Sequence, residues 1–275
     1  QGMVCHESYK DEKGNWLYPD EIKKIDNKNV IKISDKSKVI VGPPESMSKS
    51  KKNTIDPETM IENYGADAVR WFILSDSPPE KDVQWSDNGV VSSNKFLQKI
   101  WNLNTLIINR KEKKINEKFV VKLNNEIDKI VVRIDESIND FKFNVSIANF
   151  YEAYKVLNNF YEAEVDNLSL SNNLIKIMKL MIPFTPHIAY ECLEMQKCES
   201  TNQWPTVNHN LKIDVKFAIQ VNGKTRDIIT VRQDMVEKEI DLIVKDKSKA
   251  GKFINNKNIL KTIFVKNKII NYIIK

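Results

Sequence analysis

Cysteine is nearly missing from this sequence: Cys5, Cys192 and Cys198 are the three it has, and no two stand as Cys-x-x-Cys. Neither a disulfide framework nor a zinc site is expected from that spacing; reduced thiols of a cytoplasmic protein are. Histidine is equally scarce. His6, His187 and His209 lie far apart in sequence and suggest no metal site. No apolar run approaches the ~20 residues that would cross a bilayer, and no signal-like amino terminus is visible, so no membrane partner is expected. Repeats and low-complexity tracts are absent too. The chain starts on Gln1, and Gln1-Gly2-Met3-Val4 reads as a strand entered in mid-course. A piece of a longer polypeptide is therefore expected.

What is present is enough for two or three domains. Apolar residues make up 41% of 275, sufficient to fill real cores. The net charge of +6 is uneven. Residues 211–275 hold fifteen Lys or Arg against seven Asp or Glu, which is +8 and leaves −2 for the remainder. A basic terminal segment suits a polyanionic partner, nucleic acid first. A lysine-, asparagine- and isoleucine-rich coding bias gives the same excess, so charge alone leaves both readings open.

Residues 1–45 read as short strands separated by turn signals, Gly14-Asn15 and Asp26-Asn27-Lys28-Asn29 among them. A polar loop follows, Ser46 to Asn53. Asp56-Pro57-Glu58 then marks a helix start, with Asp56 as N-cap and Pro57 at the first helical position. That helix stops at Gly65, and a second runs from Ala66 to about Asp76, ahead of Pro78-Pro79. From Ser86 onward the period is helical. Phe96, Leu97, Ile100, Trp101 and Leu103 mark one face. Further helices are expected at about 120–140, 144–162, 168–180 and 185–196, with Val145, Ala148, Phe150, Tyr151, Tyr154 and Leu157 as the apolar stripe of the second of these. Such a succession predicts a bundle. Past 205 the pattern changes. Val215–Val221 and Thr225–Val231 flank Asn222-Gly223, a strong hairpin signal. An amphipathic helix carrying Val236, Ile240, Ile243 and Val244 follows, then two β runs turning at Asn267. This predicts a compact β–β–α–β–β module.

The loop is the one segment with a chemical argument. It places Lys49, Lys51 and Lys52 beside the hydroxyls of Ser48 and Ser50, just ahead of a helix. Ammonium groups there can neutralise the charge that develops as pyrophosphate leaves. Composition alone fits a solvated linker as well. Met47-Ser48-Lys49-Ser50-Lys51-x-Asn53, followed by Ile55-Asp56-Pro57, resembles the second signature loop of class I aminoacyl-tRNA synthetases, K-M-S-K-S. Tyr64-Gly65-Ala66-Asp67-Ala68-Val69-Arg70 resembles the same family's next segment. Three further blocks resemble the leucyl branch: residues 1–10 with Gly14-Asn15-Trp16, Glu80 through Val90, and Phe217 through Arg226. These blocks span nearly the whole chain in the expected order.

The resemblance implies a multi-domain fold. Residues 1–80 would be the carboxy-terminal part of a Rossmann-like α/β catalytic domain, with a leucine-specific insertion remnant and the signature loop. Residues 81–205 would be an all-α anticodon-binding helical bundle, and 206–275 a small α+β tRNA-binding domain. The implied activity is that of a leucine–tRNA ligase: leucine's carboxylate attacks the α-phosphate of Mg2+-bound ATP, and the terminal ribose of tRNA(Leu) then takes the leucyl group. It also implies a monomer when full length. Lys49 would be the catalytic lysine, and Met47, Ser48, Lys49, Ser50 and Lys51 would hold ATP; Ser46 replaces the signature's first lysine. Lys224 and Arg226 at the hairpin would contact tRNA phosphates. The family's His-x-Gly-His-type first signature is not found in this sequence, nor is its editing domain, so the chain alone is expected to be inactive.

Trp85 and Trp101 could stack on nucleotides but are expected to anchor packing. His187 is read as structural. Two rivals remain: a ligase for isoleucine, valine or methionine, and a non-catalytic RNA-binding module.

Overall fold

The structure is a computed structural model that describes residues 2–26, 29–207, 214–255 and 257–275. Gln1, the Asn27-Lys28 part of the expected turn, and His209 lie outside the described residues. Contacts divide the chain into two compact units, Gln1–Val207 and Asn208–Lys275.

The first unit opens with short strands. β1 (Val4–His6) pairs antiparallel with β7 (Glu45–Ser46) and parallel with β8 (Val83–Gln84). Between β1 and β7, β2 (Tyr9–Lys10) lies between β3 (Trp16–Leu17) and β6 (Ile40–Val41), and β4 (Ile22–Lys24) pairs with β5 (Val30–Lys32). Tyr9, Leu17, Val30 and Val39 give this insertion its own small core. Gly2 is a forced choice at the edge of β1. Its N–H donates to the Pro79 carbonyl at 2.8 Å, and a Cβ there would sit 1.9 Å from the Lys81 oxygen.

Among the described residues, seven α-helices complete the unit. In α1 (Pro57–Tyr64), the Asp56 carboxylate accepts from the Glu58 and Thr59 amides. α2 (Ala66–Asp76) carries the fully buried Trp71, which meets Phe96 and Phe150 at ring separations of 5.2 and 5.7 Å. α3 (Asp87–Ile108), α4 (Glu117–Asn139), α5 (Phe143–Tyr161), α6 (Asn167–Met181) and α7 (Pro186–Met195) pack around one core that includes Ile100, Leu123, Phe150, Leu174 and Phe184. Most helix starts follow the capping rule: Ser86, Asn116 and Asp166 each accept from an amide of the first turn.

Two expected faces shift. The buried stripe of α5 is Ser146, Ile147, Asn149, Phe150, Ala153, Leu157 and Phe160, whereas Val145 and Ala148 face outward and Tyr151, part exposed, lays its ring on Phe96 at 4.0 Å. The expected stripe shares Phe150 and Leu157 with it and misses Ile147, Ala153 and Phe160; Ser146, wholly buried with its hydroxyl 2.7 Å from that of Ser137, carries no hydropathy signal. Trp101 follows Ile100 on α3 and so points about 100° from it; it is 39% exposed and borders a cleft with Ile61, Tyr64 and His187 rather than filling the core.

Arg110, 6% exposed at the end of α3, closes the bundle. Its guanidinium donates to the carbonyls of Tyr161, Ala163 and Val165 and to Asn167 Oδ1, at 2.6–2.8 Å. One cation thereby terminates α5 and leads into α6.

In the second unit, β9 (Asp214–Val221), β10 (Lys224–Arg232), β11 (Ile259–Val265) and β12 (Ile269–Ile274) form a sheet ordered β10-β9-β12-β11, with β9 and β12 parallel. α8 (Glu237–Lys247) and the short α9 (Gly251–Ile254) contribute Ile240, Val244 and Ile254 to its core. Asn222 and Gly223 take φ of 49° and 76° at the hairpin. The turn is tied to β12: Asn222 Oδ1 accepts from the Ile274 amide at 2.9 Å, and Asn271 Oδ1 from Gly223 N at 3.1 Å.

Arg110→Ala should cost about 3 kcal/mol in urea unfolding of the first unit, because it strands buried carbonyls; Lys122→Ala, at an exposed pair with Glu126, should stay within about 0.5 kcal/mol. In the second unit Gly223→Ala should cost about 1 kcal/mol through its left-handed φ, read as a lower midpoint with an unchanged slope.

Candidate functional site

The polar loop is built on β1. Ser46 ends β7 opposite Cys5, and the Met47 amide donates to the Val4 carbonyl at 3.2 Å. Met47 itself packs toward Phe72, Val83, Trp85 and Val90. The chain then makes one 3-10 turn, Lys49–Lys51. Ser48 caps it, its hydroxyl accepting from Lys51 N at 3.3 Å, and Lys52 ends it with φ 53°. Ser48 Oγ also lies 3.3 Å from Ser50 Oγ.

Asn53 is the fixed point of this loop. It is fully buried, and its Oδ1 accepts the Ser48 amide at 2.8 Å. Its Nδ2 faces the carbonyls of His6, Glu45 and Ser46 at 3.2, 3.3 and 3.4 Å.

The three lysines differ in environment. Lys51 pairs with Glu45, whose carboxyl is held below its ordinary range chiefly by that hydrogen bond. Lys52 sits 5.0 Å from the Tyr18 ring centroid. Lys49 is exposed, and among the described residues no ion pair engages it. It borders a cleft of about 810 Å³ lined also by Tyr18, Pro19, Asp20, Ile55, Asp56, Met60, Tyr64 and Asp87.

A second cleft, about 690 Å³, shares Pro19 and Asp87 with the first. It opens at the carboxyl ends of the parallel pair β1 and β8 and is lined by His6, Glu7, Tyr9, Lys24, Gln84 and Trp85. Open α/β sheets place ligands at such strand ends. Burial holds the His6 imidazole below its ordinary pKa against the pull of Asp87 and Glu7, and its Nδ1 is buried without a partner in the protein. Burial acts to raise Glu7, but hydrogen bonds from Lys24 and Tyr9 outweigh it and keep the carboxyl low. Tyr9, buried and donating to Glu7 at 2.9 Å, is pushed up to about 12. Trp85 packs edge-on to Phe72 at 5.4 Å and donates to Asp87 at 2.8 Å, as a packing anchor would.

The sequence-predicted residues Met47, Ser48, Lys49, Ser50 and Lys51 thus share one turn, while Lys224 and Arg226 belong to the second unit. Lys224 is exposed beside the hairpin turn. Arg226 is the bulged residue where the β9–β10 register shifts, and its guanidinium lies 4.5 Å from the Phe253 ring centroid. His187 is exposed and bonded through Nδ1 to Asp67 at 2.9 Å; Asp67 also accepts the Ile188 amide, at 2.8 Å, at the start of α7. That arrangement is structural. Sequence reasoning passed over Glu45 and Tyr18, and quoted Asp87 and Asn53 only within blocks of resemblance, without a role for either.

Comparisons with known proteins give this geometry a context. Residues 37–86 match the family of tRNA synthetases class I (I, L, M and V), and residues 122–241 match the anticodon-binding domain of tRNA ligase. The chain is 36% identical over 284 residues to a leucine–tRNA ligase of Hyphomonas neptunium and 38% identical over 286 residues to one of Rickettsia canadensis. In both cases all of this chain aligns to 33% of the relative, so the chain spans about a third of the length of the curated relatives it matches. In fold it is similar to the Agrobacterium radiobacter K84 agnB2 LeuRS, solved as a ternary complex with tRNA and LeuAMS. The TM-score is 0.60 at 24% identity, over 84% of this chain and 31% of that one. Over its whole length the chain is thus similar to about a third of leucine–tRNA ligases, and two of its segments match models of class I tRNA synthetases and their anticodon-binding domain.

Proposed function

We propose that this chain is the carboxy-terminal third of a leucine–tRNA ligase, in which the turn at residues 47–51 grips ATP during leucine activation. The observation that carries the reading is Lys49: it is exposed at the mouth of an 810 Å³ cleft while Lys51 and Lys52 are engaged with Glu45 and Tyr18. In this reading residues 1–80 complete the catalytic domain, 81–205 form the anticodon-binding bundle, and 206–275 form a tRNA-binding domain. Leucine, ATP and tRNA(Leu) are the substrates, the full-length enzyme works as a cytoplasmic monomer, and the remaining two thirds supply the first signature and the editing site.

The chemistry asks little of these side chains beyond placement and charge. Leucine's carboxylate attacks the α-phosphorus, the bond to the bridging oxygen breaks, and pyrophosphate departs with the added negative charge. Lys49 meets that charge as it forms, so its contribution is larger in the transition state than in the ATP complex. Ser48 and Ser50 offer hydroxyls and the loop its amides to the same phosphates. On this reading magnesium arrives with ATP. Ser46, paired in β7, lies outside the turn and on this reading is dispensable.

Lys49→Ala in the full-length enzyme should slow adenylate formation by about a hundredfold or more in pre-steady-state experiments, with Ser46→Ala near wild type. Equal losses would remove Lys49 from its role. The double replacement of Lys224 and Arg226 by Ala should weaken tRNA binding and reduce the slope of log affinity against log salt by about one to two. An unchanged slope would exclude phosphate contacts by this pair.

A further inference from the structure

The position of Lys49 depends on a residue that never reaches the cleft. Asn53 has no exposed surface, and every polar atom of its side chain is used on the loop's own base. Its Oδ1 takes the Ser48 amide on the outgoing limb, one residue before Lys49. Its two Nδ2 hydrogens lie among three carbonyls, those of Glu45 and Ser46 on β7 and of His6 on β1. One amide therefore joins both limbs of the loop to the two strands beneath it. The turn above it is closed by the Ser48 cap and the backbone bond from Lys52 N to Lys49 O, at 3.3 Å, neither of which reaches the sheet. The ion pair of Lys51 with Glu45 does reach β7, but through two partly solvent-exposed side chains and two residues beyond Lys49.

We infer that Asn53 is the positioning residue of the signature loop, fixing the Ser48–Lys49 backbone against β1 and β7 so that the Lys49 ammonium reaches departing pyrophosphate; this rests on the reading proposed for Lys49. An amide is required by the pattern of partners. Ser48 presents a donor, and the strands present acceptors, so the side chain must accept on one atom and donate from the other. Aspartate matches asparagine in size but turns a lone pair toward carbonyls that need a hydrogen. Buried there, it loses the donated bonds and meets repulsion. Small errors in the placement of a catalytic group are costly: a displacement of about 1 Å can lower a rate by about a hundredfold.

The test uses the full-length enzyme and two separable steps. Asn53→Ala should lower the rate constant for adenylate formation by about thirty- to a hundredfold, while transfer of leucine to tRNA from preformed adenylate changes less than about twofold. Asn53→Asp should do no better than Asn53→Ala. An intact activation rate in Asn53→Ala would overturn the inference, as would Asn53→Asp at the wild-type rate or a fall in both steps together, which marks damage to the fold. Should Asn53→Ala not be recovered folded, amide exchange in the unaltered protein decides: Ser48 N–H protected by about tenfold or more over Lys49 and Ser50 supports the inference, and equal exchange overturns it. Lys49→Ala measured alongside separates the two failures. Loss in Lys49→Ala without loss in Asn53→Ala defeats this inference alone; no loss in Lys49→Ala defeats the reading beneath it.

Discussion

A buried polar side chain is tolerated only when each of its atoms finds a partner, and Asn53 meets that condition with backbone groups alone. Much else in the first unit follows from it. Glu45, Ser46 and His6 must be in strands for their carbonyls to converge on one amide. β1 must therefore lie beside β7, although 38 residues separate their facing ends. The insertion between them carries its own core of Tyr9, Leu17, Val30 and Val39. The loop above is then a short closed turn on a rigid base rather than a long flexible tether.

The same logic of polar groups spent on backbone recurs through the helical part. Arg110 gathers three carbonyls and a side-chain oxygen where α5 ends, and Asp67 starts α7 by taking the Ile188 amide. Arg70 reaches the carbonyls of Pro183 and Phe184 at 2.6 and 2.9 Å, so α2 is joined to the turn between α6 and α7. These bonds set where helices stop, while the apolar contacts of Trp71, Phe96, Phe150 and Phe184 supply most of the burial. The cations differ accordingly: Arg110 is buried and spent on carbonyls, Lys49 exposed at a cleft.

Much of the fold was legible. Asp56-Pro57, Gly65 and Asn222-Gly223 are local signals whose physics does not depend on distant residues, and the elements they bound appear where expected. The two-residue strands β7 and β8 were not legible, because Glu45–Ser46 and Val83–Gln84 become strands only by pairing with β1. The stripe of α5 was only partly legible: Phe150 and Leu157 were read, whereas Ser146 and Asn149, buried with their hydrogen bonds met, leave no trace in hydropathy. In the site, the lysine–serine turn was recognisable from its resemblance to a known signature. The distinction among its three lysines was not, since Glu45 and Tyr18 approach Lys51 and Lys52 through tertiary structure.

On the proposed reading Lys49 meets phosphate from a loop whose base does not move. A crystal structure of the full-length protein with a non-hydrolysable ATP analogue tests this most directly. The Lys49 ammonium should lie within hydrogen-bonding distance of the β- or γ-phosphate, with the Asn53 bonds to Ser48, His6 and Glu45 intact. Phosphates bound elsewhere, with Lys49 left in solvent, would contradict it.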